Sequence, residues 1–333
     1  MREQSVAVLH QGQDGATLPT IVNASQIQLH LCQALSDLGL AVVPVYLDEK
    51  FQWVETLKQA QVDLIVNAAD LGLFYHIELE PHVAAILEAI GRPYTGSGSH
   101  AGLATGDKYL SKLLLQSLGI ATPQVFLVSQ LNQQAVRYPL ILKHRYGHNS
   151  EGLTDSSVVY NKAQLDAMLQ KASAARIELI AEEYIDGREV CAGFIGNKPR
   201  VVMPFFEIEY GAGFAGRPKI LTFDAKWVSS CNEYHHNQSV RFEPSAQLAA
   251  QLRHSLLTVA DAFQIRDYGR CDFRIRRDAN GNEQACVIDI NTNPDISTDA
   301  GMFRMAAATG LSYPQFIRKL LDAALERYEE QPQ

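Results

Sequence analysis

Several protein classes are excluded by what the sequence lacks. Its five cysteines (Cys32, Cys191, Cys231, Cys271 and Cys286) are scattered, and no two are spaced as a zinc site or redox pair requires. An odd number of thiols set in apolar stretches fits reduced cysteines rather than a disulfide framework. Met1 to Ser5 is polar, and the first apolar run, Val6 to Leu9, is far too short for a signal-peptide core or a membrane span. A cytoplasmic location is therefore expected. Positive charge is also in short supply. The chain has 29 Lys and Arg against 37 Asp and Glu, a net charge of −8 that argues against nucleic acid or an anionic membrane as partner. Internal repeats and low-complexity segments are missing too. What remains is ordinary globular composition, 47% hydrophobic and 20% charged over 333 residues, enough for two or three packed domains.

Apolar patterning divides the chain into units. Val6–Leu9, Ala41–Tyr46 and Val62–Val66 are short β-prone runs, and Gln26–Leu38 has helical spacing with Gly39 as its stop. Strands alternating with helices predict a parallel sheet covered by helices. Pro81–Ile90 reads as another helix, followed by the turn-rich Gly91–Gly98, and a boundary near Ala104 closes an N-terminal α/β domain, 1–104. A central α+β unit, 105–198, opens with a helix at Asp107–Leu118. It continues through β-prone runs at Gln124–Val128, Tyr138–Lys143, Ile177–Tyr184 and Glu189–Ile195, with a helix near Gln164–Lys171. A C-terminal unit, 199–328, holds a helix at Ala246–Phe263, a hairpin at Gly269–Asn291 and an amphipathic helix from Tyr313 to Tyr328. The tail Glu329–Gln333 is expected to fray.

The hairpin is the most informative local pattern. Polar and apolar residues alternate in Arg270–Ile275 and in Ile288–Asn291, and Asn280-Gly281 between them is a strong turn signal. A turn centred there pairs Asp272 with Asp289 and Arg270 with Asn291. All four side chains then share one face, with Cys271, Phe273, Ile288 and Ile290 on the other. Opposed carboxylates repel, and a divalent cation taking oxygens from Asp272, Asp289 and Asn291 would relieve this. The alternative is a solvated acidic face neutralised by Arg270 and Arg274. An odd-length turn would shift the register and break the pairing.

Lys143 ends the apolar run Pro139–Leu142 and so sits at the mouth of a strand. The following His144–Gly152 supplies backbone freedom, hydroxyls (Ser150 among them) and amides, as a loop closing over phosphates requires. An exposed loop after an edge strand is the plainer reading. Lys108 near a helix start, and the acidic stretch Glu182–Glu189, would be solvated residues if they stood alone.

As an ordered set these pieces resemble the ATP-grasp superfamily, in particular its D-alanine–D-alanine ligase branch. The resemblance runs through Pro93–Ser97, Asp107-Lys108, Pro139–Gly152, Ala181–Glu189, Asp224–Trp227, Gly269–Phe273 and Ile288–Pro294, roughly residues 85 to 325. It implies an ATP-grasp fold of mixed α/β and α+β type, in which an N-terminal parallel-sheet domain precedes two α+β subdomains that sandwich ATP. It further implies that Lys108, Lys143 and Lys226 contact the ATP phosphates. Glu182 and Glu189 would hold the adenine amino group and the ribose, with Glu183, Tyr184 and Ile185 lining the adenine pocket. Asp272, Asp289 and Asn291 would bind Mg²⁺ or Mn²⁺, Asp289 standing where the family usually has glutamate. Arg270, Lys226 and Ser150 would be the catalytic residues, and homodimers are common among such ligases. The implied reaction joins a small-molecule carboxylate to an amine through an acyl phosphate, releasing ADP and phosphate.

This chain departs from the family at both substrate sites. His10–Gly15 gives no counterpart to the glycine-rich turn and donor-binding glutamate, and Asn67–His76 lacks the usual His-Gly-rich pattern. Beyond Asn291, the positions that receive the acceptor carboxylate are Asp295 and Ala300, with Asp299 adjacent. Two aspartates there disfavour a bare carboxylate and point to a cationic or hydroxylated acceptor. The expectation is an amino-acid or natural-product ligase. D-alanine–D-alanine ligation, a non-catalytic ATP-binding protein and a kinase are the rivals; a dinucleotide-binding enzyme would need a Gly-x-Gly-x-x-Gly turn after Leu9, which is missing.

Overall fold

The computed structural model describes residues 4–11, 19–131 and 136–330, so Gly12–Gly15 of the turn after β1, and residues 331–333 of the tail, lie outside the described residues. Three strands, β1 (Ser5–His10), β2 (Ala41–Tyr46) and β3 (Leu64–Ala68), form a parallel sheet in the order β2-β1-β3. The central strand β1 is apolar from Val6 to Leu9 because it is covered on both faces. On one face α1 (Pro19–Asp37) contributes Leu31 and Leu35; on the other, α2 (Gln52–Gln59) and α3 (Glu80–Ile90) contribute Trp53, Leu57, Val83 and Leu87.

Two short helices lead onward, α4 (Ser99–Gly106) and α5 (Lys108–Ser117). Asp107 caps α5, its carboxylate accepting from the backbone N–H groups of Tyr109 (3.0 Å) and Leu110 (3.2 Å). Arg145 grips the same carboxylate, which ties the start of α5 to the end of the next sheet. That sheet contains β4 (Val125–Leu127), β5 (Leu140–His144), β6 (Val158–Val159) and β7 (Leu179–Glu183), all antiparallel in the order β4-β7-β5-β6, with α6 (Lys162–Ala175) packed on it.

The last sheet is six-stranded: β8 (Glu189–Ile195), β9 (Val201–Val202), β10 (Phe206–Tyr210), β11 (Asn237–Arg241), β12 (Tyr268–Arg277) and β13 (Glu283–Asn291). One strand is not where the sequence placed it. Glu189–Ile195 was expected with the middle unit, yet it pairs with β10 and β12 in this last sheet. Gly187 explains the change of sheet, since a Cβ there would lie 2.0 Å from the Ile275 carbonyl oxygen, so the chain passes tight against β12. Helix α7 (Phe223–Trp227) carries Lys226, α8 (Ala246–Ala262) covers one face of this sheet, and α9 (Gly301–Ala307) follows β13. Helix α10 (Tyr313–Glu330) returns to the first sheet, where Phe316, Leu320 and Leu321 pack with Leu31 and Leu35 of α1. No helix among the described residues is long and apolar enough to cross a membrane.

Candidate active site

A cleft of about 1280 Å³ brings together every site residue expected from the sequence. It is lined by Lys108, Lys143, Ser150, Glu182 to Ile185, Glu189, Lys226, Arg270, Asp272, Asp289, Asn291, Asp295 and Asp299.

The hairpin supplies one wall. Asp272 stands opposite Asp289 and Arg270 opposite Asn291, as expected, though the route to that register differs from the expected one. Arg277 pairs with Glu283, so the loop between them is odd in length and shifts the strands by one residue. A bulge beside Asp272 and Phe273, where Ile288 is the extra residue, shifts them back. Ile288 consequently lines the cleft instead of facing away, and its carbonyl accepts from the Lys112 ammonium. The Arg270 guanidinium holds Asp272 through two bonds, Nε to Oδ1 at 2.8 Å and Nη2 to Oδ2 at 3.0 Å, and Asn291 Nδ2 adds a third at 3.2 Å.

Asp289 is compensated differently, by nearby charges rather than by hydrogen bonds from described residues. Burial opposes its ionisation, but Lys108, His148, Lys112 and Lys143 together hold it well below the usual carboxylate range. An ionised carboxylate with open lone pairs, beside a second carboxylate and an amide oxygen, is a donor set that suits a hard divalent cation. Among the described residues no three His, Cys, Asp or Glu side chains form a metal-ligating group, so the set rests on two carboxylates plus Asn291.

The opposite wall comes from β5 and β7. Ile141 pairs with Glu182, which makes Lys143 and Glu182 diagonal neighbours, Nζ to Oε2 2.9 Å apart. Lys112 approaches the other oxygen, Oε1, at 3.6 Å. Oε1 is buried without a hydrogen-bond partner, an acceptor suited to an amino group. Glu189 accepts from Arg274 and from the Tyr210 hydroxyl, both at 2.6 Å through Oε2. Burial lowers the pKa of Lys108 and of Lys226 below the lysine norm, and neighbouring Arg270 lowers Lys226 further.

The loop after β5 closes over this chemistry. Asn149 and Ser150 both have positive φ, 52° and 62°, which few non-glycine residues adopt. It is tied down twice: Trp227 Nε1 donates to the Asn149 carbonyl at 3.3 Å, and Lys108 donates to that of Gly147.

Four groups went unnoticed in the sequence, three that line the cleft (His148, Asp70 and Glu80) and Lys112, buried against Glu182. Lys112 lies one helical turn after Lys108 on α5, and that i, i+4 spacing was its signal. His148 lines the cleft, and burial, helped by the charge of Lys108, pushes its pKa down to about 4. Asp70 and Glu80 join Asp295 and Asp299 at the end nearest the parallel sheet. Burial raises Asp70 to about 7, helped by Asp295, and raises Glu80 to about 8, helped by Asp70. Asp70 just past a parallel strand was legible only as a position, since such sheets bind ligands at the carboxyl ends of their strands.

Comparison with known proteins gives a consistent picture. Residues 115–322 match the model of the family described as "D-ala D-ala ligase C-terminus". A D-alanine–D-alanine ligase of Chlorobium chlorochromatii is 30% identical over 277 residues, covering 78% of this chain and 71% of that one. An uncharacterised protein of Sinorhizobium fredii, y4sG, is 33% identical over 250 residues, covering 74% and 70%. In three dimensions, the Bacillus anthracis D-alanine–D-alanine ligase complexed with ATP superposes with a TM-score of 0.75 at 22% identity, covering 99% of this chain and 100% of that one. The VanG D-Ala:D-Ser ligase of Enterococcus faecalis gives 0.70 at 19% identity, covering 97% and 100%.

Proposed function

Because this chain belongs to the D-alanine–D-alanine ligase family of ATP-grasp enzymes, we propose that it activates a small carboxylate as an acyl phosphate and couples it to an amine. It is an ATP-dependent, ADP-forming carbon–nitrogen ligase. The observation that carries the finer reading is the single cleft in which Asp272, Asp289 and Asn291 face Lys108, Lys143 and Lys226.

In this reading the three lysines neutralise the phosphates. The orphaned Glu182 Oε1 takes the adenine amino group, the 183–185 backbone lines the base, and Glu189 uses its remaining oxygen for the ribose. Asp272, Asp289 and Asn291 would hold Mg²⁺, which when bound supplies charge neutralisation at the transferred phosphoryl group. In this reading Arg270 stabilises the oxyanion formed as the amine attacks, and Lys226 adds a second charge. The 147–152 loop, Ser150 included, keeps water from the reactive intermediate.

The acidic group of Asp70, Glu80, Asp295 and Asp299 supports substrates other than two D-alanines. A second reading, D-alanine–D-alanine ligation, is favoured by the names of the relatives. Phosphate release from Mg-ATP with D-alanine alone, against pairs of other amino acids and amines, separates the two.

A further inference from the structure

The order β2-β1-β3 means that the chain leaves β1 toward one side and returns to the other. The carboxyl ends of β1 and β3 therefore flank a topological switch point, where open parallel sheets bind ligands. His10 ends β1, and Asp70 follows β3 closely. Gln11 fixes the loop that carries Asp70: its Oε1 accepts from the Leu71 N–H at 2.8 Å, and its Nε2 donates to the Gly72 carbonyl. Gly72 is required at that bend, with φ +71° and no room for a Cβ beside the His76 carbonyl.

Between these ends lies a recess of about 20 Å³, lined by His10, Asp70, Asn293 and Asp295 among others. That is room for roughly one water-sized group. Asp70, Asn293 and Asp295 also line the main cleft, so the recess is its side chamber. His10 is only 2% exposed. Its Nδ1 donates to the Gln11 carbonyl at 3.1 Å, which leaves a lone pair on Nε2, and that atom is buried without a partner. Nearby, Asp70, Glu80, Asp295 and Asp299 form no ion pair among the described residues; Asp295 and Asp299 accept only from the Ser297 N–H and hydroxyl, at 2.8 and 2.9 Å. An unmet acceptor beside acids that lack a counter-cation suits a cation with N–H donors, whose charge would hold those acids ionised. No metal-ligating group of three His, Cys, Asp or Glu is found among the described residues.

We propose that this recess takes a second, non-reacting ammonium of the amine substrate, which makes that substrate a diamine or a basic amino acid. The assignment to a substrate rests on the ligase reading; the binding itself does not.

Calorimetric titration with ADP and Mg²⁺ present tests it, using 1,4-diaminobutane against butylamine and lysine against norleucine. At least one dication should bind about tenfold or more tightly than its monoamine counterpart, the size of one charge-assisted hydrogen bond. Asp70→Asn and Asp295→Asn should each remove most of that preference while melting as the wild type does; should either fail to fold, His10→Phe replaces it. Equal affinities, no binding by either dication, or a preference untouched in the folded variants would overturn the proposal. A preference of this kind without any phosphate release would leave the recess assigned and remove the ligase reading instead.

Discussion

Lys143 Nζ lies 2.9 Å from Glu182 Oε2, and the carboxylate it meets is wholly buried. Lys112, 2% exposed, approaches the other oxygen of that carboxylate, so one negative charge serves two lysines, of which Lys143 lines the cleft. Removing one member of a buried pair strands its partner, at a cost of about 3 kcal/mol. Glu182→Gln should therefore shift the denaturant midpoint sharply downward. Replacing all three, as Lys112→Met, Lys143→Met and Glu182→Leu, should restore much of the stability and abolish nucleotide binding. A Glu182→Gln protein as stable as the wild type would show that the trio contributes nothing to folding.

Asp289 is kept ionised chiefly by the neighbouring lysines Lys108, Lys112 and Lys143 although it is half-buried. If it binds the divalent ion, Asp289→Asn should raise the Mg²⁺ concentration for half-maximal activity roughly tenfold or more, by analogy with other lost metal contacts. Asp289→Glu, which keeps the charge, should bind Mg²⁺ at close to wild-type concentrations. Identical Mg²⁺ curves for all three proteins would remove Asp289 from the metal set.

The ligand-free protein should lose stability between weakly acid and weakly alkaline pH. Burial raises Asp70 to about 7 and Glu80 to about 8 from ordinary values of 3.8 and 4.5. Acids raised in this way stabilise the fold while protonated, fully so below their unfolded values, and that contribution is lost as pH rises through the folded ones. Thermal melts from pH 5 to 9 should show Tm falling, with the slope flattened in Glu80→Gln. A variant slope equal to that of the wild type would contradict this.

The hairpin shows how legible this molecule is, and where that stops. Asp272 and Asp289 were paired correctly from the sequence, but by assuming a register that two compensating shifts restore, an odd loop and a bulge at Ile288. Nothing in the alternation of Ile288–Asn291 marks the bulge, because the same residues fit either pairing. Strand β8 was assigned to the wrong sheet since propensity identifies a strand and not its partner. The parallel sheet was readable because β1 is apolar on both faces. Asp70 and Glu80 were not, for an acid in a loop or first helical turn looks solvated until the fold buries it.

Phosphate release from Mg-ATP, measured with amino acids and amines singly and in pairs and followed by mass spectrometry, is the most direct test of the central claim. Release that requires both a carboxylate and an amine, with a product lighter than their sum by one water, is the predicted result. Tight ATP binding with no turnover on any pair, or a stable phosphorylated product formed without an amine, would contradict it.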